Sequence, residues 1–244
     1  MKILLAPSET KTNGGCENFS LDTLLFSDLS PTRKMILHAY MNILQKNDLE
    51  ELREMFGLKK EADINYHNRD IIHELTMKAI ERYTGVAFDY LNYQELKEES
   101  KKYIDKNVIL CSNLFGFIRA DDMIPEYRLK QGVAVGDLKP ERLYKEQSHL
   151  LESYLENEDI LDLRAGFYDK FYKPTKNYTT LKFIKNGKVV SHWAKAYRGI
   201  VLREVAIAQV DNLEDFMKLS IDNLSIEEIQ TKKNKTEIIY NIVS

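Results

Sequence analysis

The sequence predicts an α+β fold: a mixed β-sheet core wrapped by helices, with a helix-hairpin-helix-like element, in one domain over residues 1–244. Three observations carry this. Short apolar runs of strand character are interspersed with stretches of helical periodicity. One pair of strands is joined by Asn186-Gly187, the strongest short hairpin signal. The few glycines and prolines include no linker-like stretch that would split the chain.

The elements follow in chain order. Lys2 to Ala6 reads as a short buried strand stopped by Pro7. Ser30-Pro31 starts a helix, with Ser as N-cap and Pro at the first helical position, and Met35, Ile36, Ala39, Tyr40 and Ile43 form its apolar face. Asp48-x-x-Glu51 is a capping box for a second helix that ends at Gly57. A third helix is expected over Arg69 to Tyr83, and Asn92-x-x-Glu95 opens a fourth. Asn107 to Ser112 and Asp159 to Leu163 read as strands. Tyr178 to Ile184 and Lys188 to Trp193 form the hairpin. A long helix follows from Lys195, then two short helices and a terminal strand, Glu237 to Val243.

Composition bounds the function. Charged residues at 30% and apolar ones at 43% indicate a folded globular chain rather than a disordered one. The longest apolar runs are far short of the ~20 residues a membrane span needs. Met1-Lys2-Ile3-Leu4-Leu5-Ala6-Pro7 is too short for a signal-peptide core. Cys16 and Cys111, alone and far apart, suggest neither a disulfide framework nor a structural zinc site. The expectation is a cytoplasmic protein with reduced thiols, no membrane association, no cofactor and no obligate protein partner.

The net charge of -3 conceals a polarised chain. Arg164 to Arg203 contains ten Lys or Arg against a single acid, Asp169, and eight aromatics among them. Such a stretch can hold phosphates and stack on bases, or its lysines can be solvated and its aromatics buried in the core. Leu52 to Ala62 has the grammar of a helix-hairpin-helix: helix, Gly57-Leu58 turn, Lys59-Lys60, then Ala62. In that motif the turn and the next helix hold a DNA phosphate without reading bases. An ordinary glycine cap accounts for the same residues. In the loop leaving the first strand, Glu9 and Lys11 could serve as acid/base groups, bind a polar ligand, or form a polar turn. Asp70-x-x-His73 offers two ligand types on one helix face but no further partners, so no metal site is expected.

Five segments in register resemble the peroxide-stress YaaA family. They are Leu4-Leu5-Ala6-Pro7-Ser8-Glu9-Thr10-Lys11; Tyr83-Thr84-Gly85-Val86-Ala87-Phe88; Leu110 to Arg119, continuing through Asp122, Ile124 and Pro125 to Leu129; Asp162 to Tyr168; and His192-Trp193-Ala194-Lys195-Ala196-Tyr197-Arg198-Gly199. The resemblance implies a helix-wrapped sheet containing a helix-hairpin-helix. It also implies binding of duplex or distorted DNA in a positive cleft, and a role in limiting oxidative DNA damage and free iron. No enzyme activity comes with it. The chain departs from the family pattern at Glu9, where other members carry Lys, and at Cys111 and Asn113, in a block where small residues are common.

On this reading Lys195, Arg198 and Arg203 share roughly one helix face and clamp phosphates at one wall of a cleft. Lys11 and Arg128 form the other wall, and Lys59, Lys60 and Lys173 add contacts. The competing reading is an enzyme acting on nucleic acid or a nucleobase, in the manner of glycosylase/lyases. Lys195 or Lys11 would then be the nucleophile and Glu9 the general acid/base.

Overall fold

The computed structural model describes residues 1–243, apart from the side chains of Asp28 and His192. In chain order the strands are β1 (Lys2–Leu5), β2 (Glu17–Asn18), β3 (Leu75–Lys78), β4 (Val108–Ser112), β5 (Gly116–Arg119), β6 (Met123–Ile124), β7 (Ile160–Asp162), β8 (Tyr178–Lys185), β9 (Lys188–Val189), β10 (Leu224–Lys232) and β11 (Lys235–Ile242). The helices are α1 (Pro31–Lys46), α2 (Leu49–Phe56), α3 (Glu61–His67), α4 (Ala79–Arg82), α5 (Val86–Leu91), α6 (Glu98–Asn107), α7 (Pro140–Tyr154), α8 (Ser191–Ile207) and α9 (Leu213–Lys218).

An eight-stranded mixed sheet runs β10-β11-β8-β7-β1-β4-β5, with β9 paired to β8. The inner strands β11, β8, β7, β1 and β4 are mutually parallel, and β10 and β5 are antiparallel edges. Parallel strands need both faces covered, which is why β1 and β4 are apolar without alternation. Ile3, Leu5 and Leu110 enter one core with α1, α5, α6 and α8. Leu4, Ile109 and Cys111 enter a second with Tyr144, Phe171 and Tyr172. The α+β class and the mixed sheet wrapped by helices are as expected.

Several elements follow their local signals. Asp48 caps α2 by accepting from the Glu51 N–H at 3.0 Å, and Gly57 ends it in the left-handed region at φ 65°. Pro31 opens α1. Four expectations are corrected. The helix over Arg69–Tyr83 is instead a turn, then β3 and the four-residue α4. Asp70 accepts from the Ile72 N–H and bonds His73, a local alternative to helix, while β3 finds partners in β2 and β6. Asn92 opens no α-helix: it is the left-handed cap of α5, followed by a single 3-10 turn, and α6 begins at Glu98. The second hairpin strand stops at Val189, and α8 begins at Ser191, so Trp193 and Lys195 are helical. After α9, a hairpin of β10 and β11 replaces the second short helix. β10 is exposed along nearly its whole length, Ile226 and Ile229 included, and is held by ladder hydrogen bonds rather than by a buried apolar face.

The helix-hairpin-helix-like segment is α2, the turn Gly57-Leu58-Lys59-Lys60, and α3. Nothing in its backbone distinguishes the motif from two short helices joined by a glycine-capped turn. No helix among the described residues is long and apolar enough to cross a membrane.

Candidate functional site

The strand order reverses at β1. The chain passes from β1 to β4 and β5 on one side, then returns to lay β7 and β8 on the other. In parallel sheets, loops at such a switch point diverge and leave a crevice at the carboxyl ends of the strands. Here the crevice opens between Leu5–Ser8 at the end of β1 and Leu163–Tyr168 at the end of β7. The start of α5 and the face of α8 close it. Gly199 brings these two helices together, since a Cβ there would overlap the Ala87 carbonyl oxygen.

The crevice has two lobes that share Ala165, Lys195 and Arg198. One, of about 350 Å³, is lined by Leu5, Pro7, Val86, Phe88, Leu163 and Tyr168, with Ser8, Thr84 and Gln131 contributing polar groups. The other, of about 370 Å³, is charged: Asp162, Arg164, Asp169, Lys182, Lys235 and Glu237 line it. Two ion pairs lie within it, while one terminal nitrogen of Arg164 is buried without a hydrogen-bond partner. Arg164 makes a two-pronged pair with Asp162 at 2.9 and 2.7 Å, and Lys235 pairs with Glu237 at 2.8 Å. Burial works against the Arg164 charge, and Asp162 more than restores it. Behind this pair, burial pushes the Cys111 thiol up to about 12, so it stays protonated.

Lys195 and Arg198 are one turn apart on α8, and both line both lobes. Lys195 is exposed. Among the described residues Arg198 forms no hydrogen bond or ion pair; burial depresses its pKa and Asp162 supports its charge. The structure thus gathers these two predicted residues at the divide between the lobes.

The other predicted residues are placed differently. The Lys11 ammonium is enclosed: it lies 3.8 Å from the centre of the Tyr127 ring and 4.9 Å from that of Tyr83, and donates to the Ser8 carbonyl at 3.2 Å. Burial holds its pKa well below the ordinary lysine value, with Arg128 acting in the same direction. Glu9 does not pair with it. Its carboxylate accepts from Arg128 at 2.9 Å and from the Gln131 N–H at 2.9 Å, and Arg128 also donates to the Phe56 carbonyl. Arg203 donates to the carbonyls of Leu91 and Asn92, capping the end of α5. Lys173 is exposed on the segment before β8. Lys59 and Lys60 are exposed on the α2–α3 turn. That turn abuts the Lys130 side chain at Gly57, next to Gln131 in the apolar lobe.

Sequence reasoning missed Phe88, Gln131, Asp162 and Tyr168 as lining residues. The signal that could have found three of them is positional. Asp162 ends β7, Tyr168 lies in the loop just after it, and Phe88 sits in the first turn of α5. Gln131 lies in irregular chain and left no pattern. Asp70 and His73, 2.8 Å apart, are exposed on a turn, and no grouping of metal-ligating side chains occurs among the described residues.

Comparison with known proteins converges on one family. The sequence pattern of the family described as Peroxide stress protein YaaA matches residues 1–230. A Campylobacter jejuni protein described only as uncharacterized is 45% identical, with all of both chains covered. A Corynebacterium glutamicum UPF0246 protein is 32% identical over 98% of this chain and 100% of its own. A Fusobacterium nucleatum UPF0246 protein is 27% identical over 96% and 97% of the two chains. The chain belongs to the YaaA family of peroxide stress proteins, UPF0246.

Proposed function

We propose that the chain binds DNA without reading its sequence, inside the cell, as its contribution to the peroxide response of its family. One observation carries the reading: Lys195 and Arg198 flank the divide of a switch-point crevice and, among the described residues, neither has an ion-pair partner. Uncommitted cations beside a concave surface are what a polyanion requires. The exposed Lys59-Lys60 turn adjoins Lys130 through Gly57, and Lys130 precedes the lining residue Gln131, so on this reading these lysines would extend the cationic track. This reading assigns the cations of α8 to phosphates and none of the described residues to base edges, so affinity follows backbone shape and distortion.

The reading supplies a physical route to protection. Cations seated on phosphates release the counterions condensed there. Ferrous iron held on DNA would be among them, and so would be displaced from the place where its reaction with peroxide does damage. The effect on iron is then indirect and needs no iron site on the protein.

Roughly five phosphate contacts, from Lys59, Lys60, Lys130, Lys195 and Arg198, correspond to a log–log salt slope of about -4.5. Anisotropy titrations of a labelled duplex at several salt concentrations measure it directly. A slope near zero, or one unchanged in Lys195→Ala and Arg198→Ala, refutes the assignment.

The Lys11 environment favours a second reading. A lysine whose pKa is lowered by burial gives up its proton more readily, and the free amine is the nucleophile that imine formation with an abasic sugar needs. Borohydride treatment of protein mixed with abasic DNA would trap that adduct, and its loss in Lys11→Met, together with strand cleavage in the untreated reaction, would establish lyase chemistry. The Lys11 amine meets the backbone carbonyl of Glu9 at 3.4 Å, but the Glu9 carboxylate is tied to Arg128 and the Gln131 N–H, so it would not be the acid/base group in its observed position.

A further inference from the structure

The two lobes of the crevice differ in chemistry, and the difference specifies a ligand. The apolar lobe is walled by aliphatic and aromatic side chains, with Phe88 and Tyr168 contributing ring surface. Three of its lining residues carry a side-chain polar group with no hydrogen-bond partner among the described residues: the Tyr168 hydroxyl, the Gln131 side-chain amide and the Thr84 hydroxyl. In the charged lobe Arg164 pairs with Asp162 and Lys235 with Glu237, and one terminal nitrogen of Arg164 is buried without a hydrogen-bond partner. Between the two stand Lys195 and Arg198. A ligand for the apolar lobe therefore has a flat, largely apolar body with a few hydrogen-bonding edges, and an anionic group carried just outside it. At about 350 Å³ the lobe is at the small end of the ~300–1,000 Å³ range of ligand sites, which limits the body to one or two rings with a sugar.

We infer that the apolar lobe receives a single nucleotide, with its base between Phe88 and Tyr168 and its phosphate on Lys195 and Arg198. Aromatic surface accepts the base face, and the amide of Gln131 and the hydroxyls of Thr84 and Tyr168 meet its edge. The same chemistry arises from two sources: a free nucleoside monophosphate, or a nucleotide extruded from DNA. In the second form the inference deepens the proposed DNA binding and rests on it. Extrusion is least costly at an unpaired or mismatched base, so the lobe converts DNA damage into affinity. In the first form it stands independently of DNA.

The experiment has three arms on the intact chain: an undamaged duplex, the same duplex with one unpaired adenine, and free nucleoside 5′-monophosphates titrated calorimetrically. The variant Ala165→Phe places a ring into the space both lobes share, and Gln131→Leu removes an edge contact without filling space. For the extruded form, the unpaired adenine binds roughly tenfold more tightly than the duplex. That ratio falls to one in Ala165→Phe and severalfold in Gln131→Leu. For the free form, monophosphates bind saturably and Ala165→Phe abolishes the binding. Should Ala165→Phe fail to fold by its melting curve, Gln131→Leu decides alone. A ratio that persists in the variants reflects flexible DNA and overturns the inference, as does a ratio of one with no monophosphate bound. In that last case, salt-dependent duplex binding leaves the proposed function intact. Monophosphate binding without duplex binding removes the proposed function and keeps the nucleotide site.

Discussion

The cations around the first strand and the two on α8 that line the crevice, Lys195 and Arg198, share a chemistry and have opposite fates. Arg33, Arg82, Arg128 and Lys11 are all spent on the fold. Arg33 is fully buried and donates to the carbonyls of Leu25, Phe115 and Phe117. Arg82, also fully buried, gathers the carbonyls of Thr12, Gly14, Leu75 and Ile124. These four acceptors lie in irregular chain and short strands that cannot satisfy their own backbones, and a guanidinium offers five donors in one plane to do it. On α8 the helix satisfies its own backbone, so Lys195 and Arg198 remain available at the crevice. Both kinds occur along the chain: Lys59, Lys60 and Lys130 are exposed outside the basic stretch, while Arg164 and Arg203 within it are committed to Asp162 and to the end of α5. Position along the chain decided neither; the need of the local backbone for donors did.

That difference is most severely tested at Arg82. Arg82→Met keeps bulk and removes every donor. The carbonyls it serves lose partners at once, and the expected destabilisation is about 3 kcal/mol or more by chemical denaturation. A loss below ~0.5 kcal/mol would mean water takes over these carbonyls and that Arg82 is no staple. Gly199 comes next. Gly199→Ala forces a Cβ onto the Ala87 carbonyl, and α5 and α8 must part. Overpacking of this kind costs ~1–3 kcal/mol. Because α8 carries Lys195 and Arg198, DNA affinity falls with it. Unchanged affinity in a destabilised Gly199→Ala would separate the helix pair from the site.

Lys11 sharpens the contrast through pH. Its folded-state pKa is depressed by burial, first, and by Arg128. Between that lowered value and the ordinary lysine value of about 10.4, the unfolded chain binds a proton that the folded chain does not. Stability therefore rises with pH across the window, by up to ~1.4 kcal/mol per pH unit from this one group. The ring neighbours do not interfere: burial raises Tyr127 to about 12 and lifts Tyr83 well above the ordinary tyrosine value. Lys11→Met should remove the slope and gain stability relative to the native chain toward the low end of the window. Parallel denaturation profiles of the two proteins between pH 7 and about 10 would exclude a neutral buried amine.

What the sequence revealed tracks how local the cause was. Asp48, Gly57 and Pro31 act on their own neighbours, and α1 and α2 start or stop where they say. β1 and β4 are buried on both faces, and their uninterrupted apolar runs said so. β10 left no trace, because its partner β11 supplies ladder bonds that ask nothing of its side chains. The α4 region was misread because Asp70 and the pairing of β3 outweigh its helical spacing. At the site, Lys195 and Arg198 were legible as part of a cationic stretch. That Lys11 would be enclosed by Tyr83 and Tyr127 depends on residues 72 and 116 positions away, and no window of sequence contains that information.

The smallest expected effect on stability is also the most informative about function. Lys195→Ala removes an exposed side chain from a helix that does not depend on it, so the fold should change by less than ~0.5 kcal/mol. Arg198→Ala removes a more buried group with no bonded partner among the described residues, and relief of its desolvation offsets the packing it loses. Each substitution should lower the log–log salt slope of DNA binding by about 0.9 and weaken binding at low salt more than at high salt. The double variant should lose about twice that slope, since two phosphates are released independently. A large stability loss with an unchanged slope would move both residues into the class of Arg33 and Arg82, and the distinction between structural and uncommitted cations would fail at the place where it matters most.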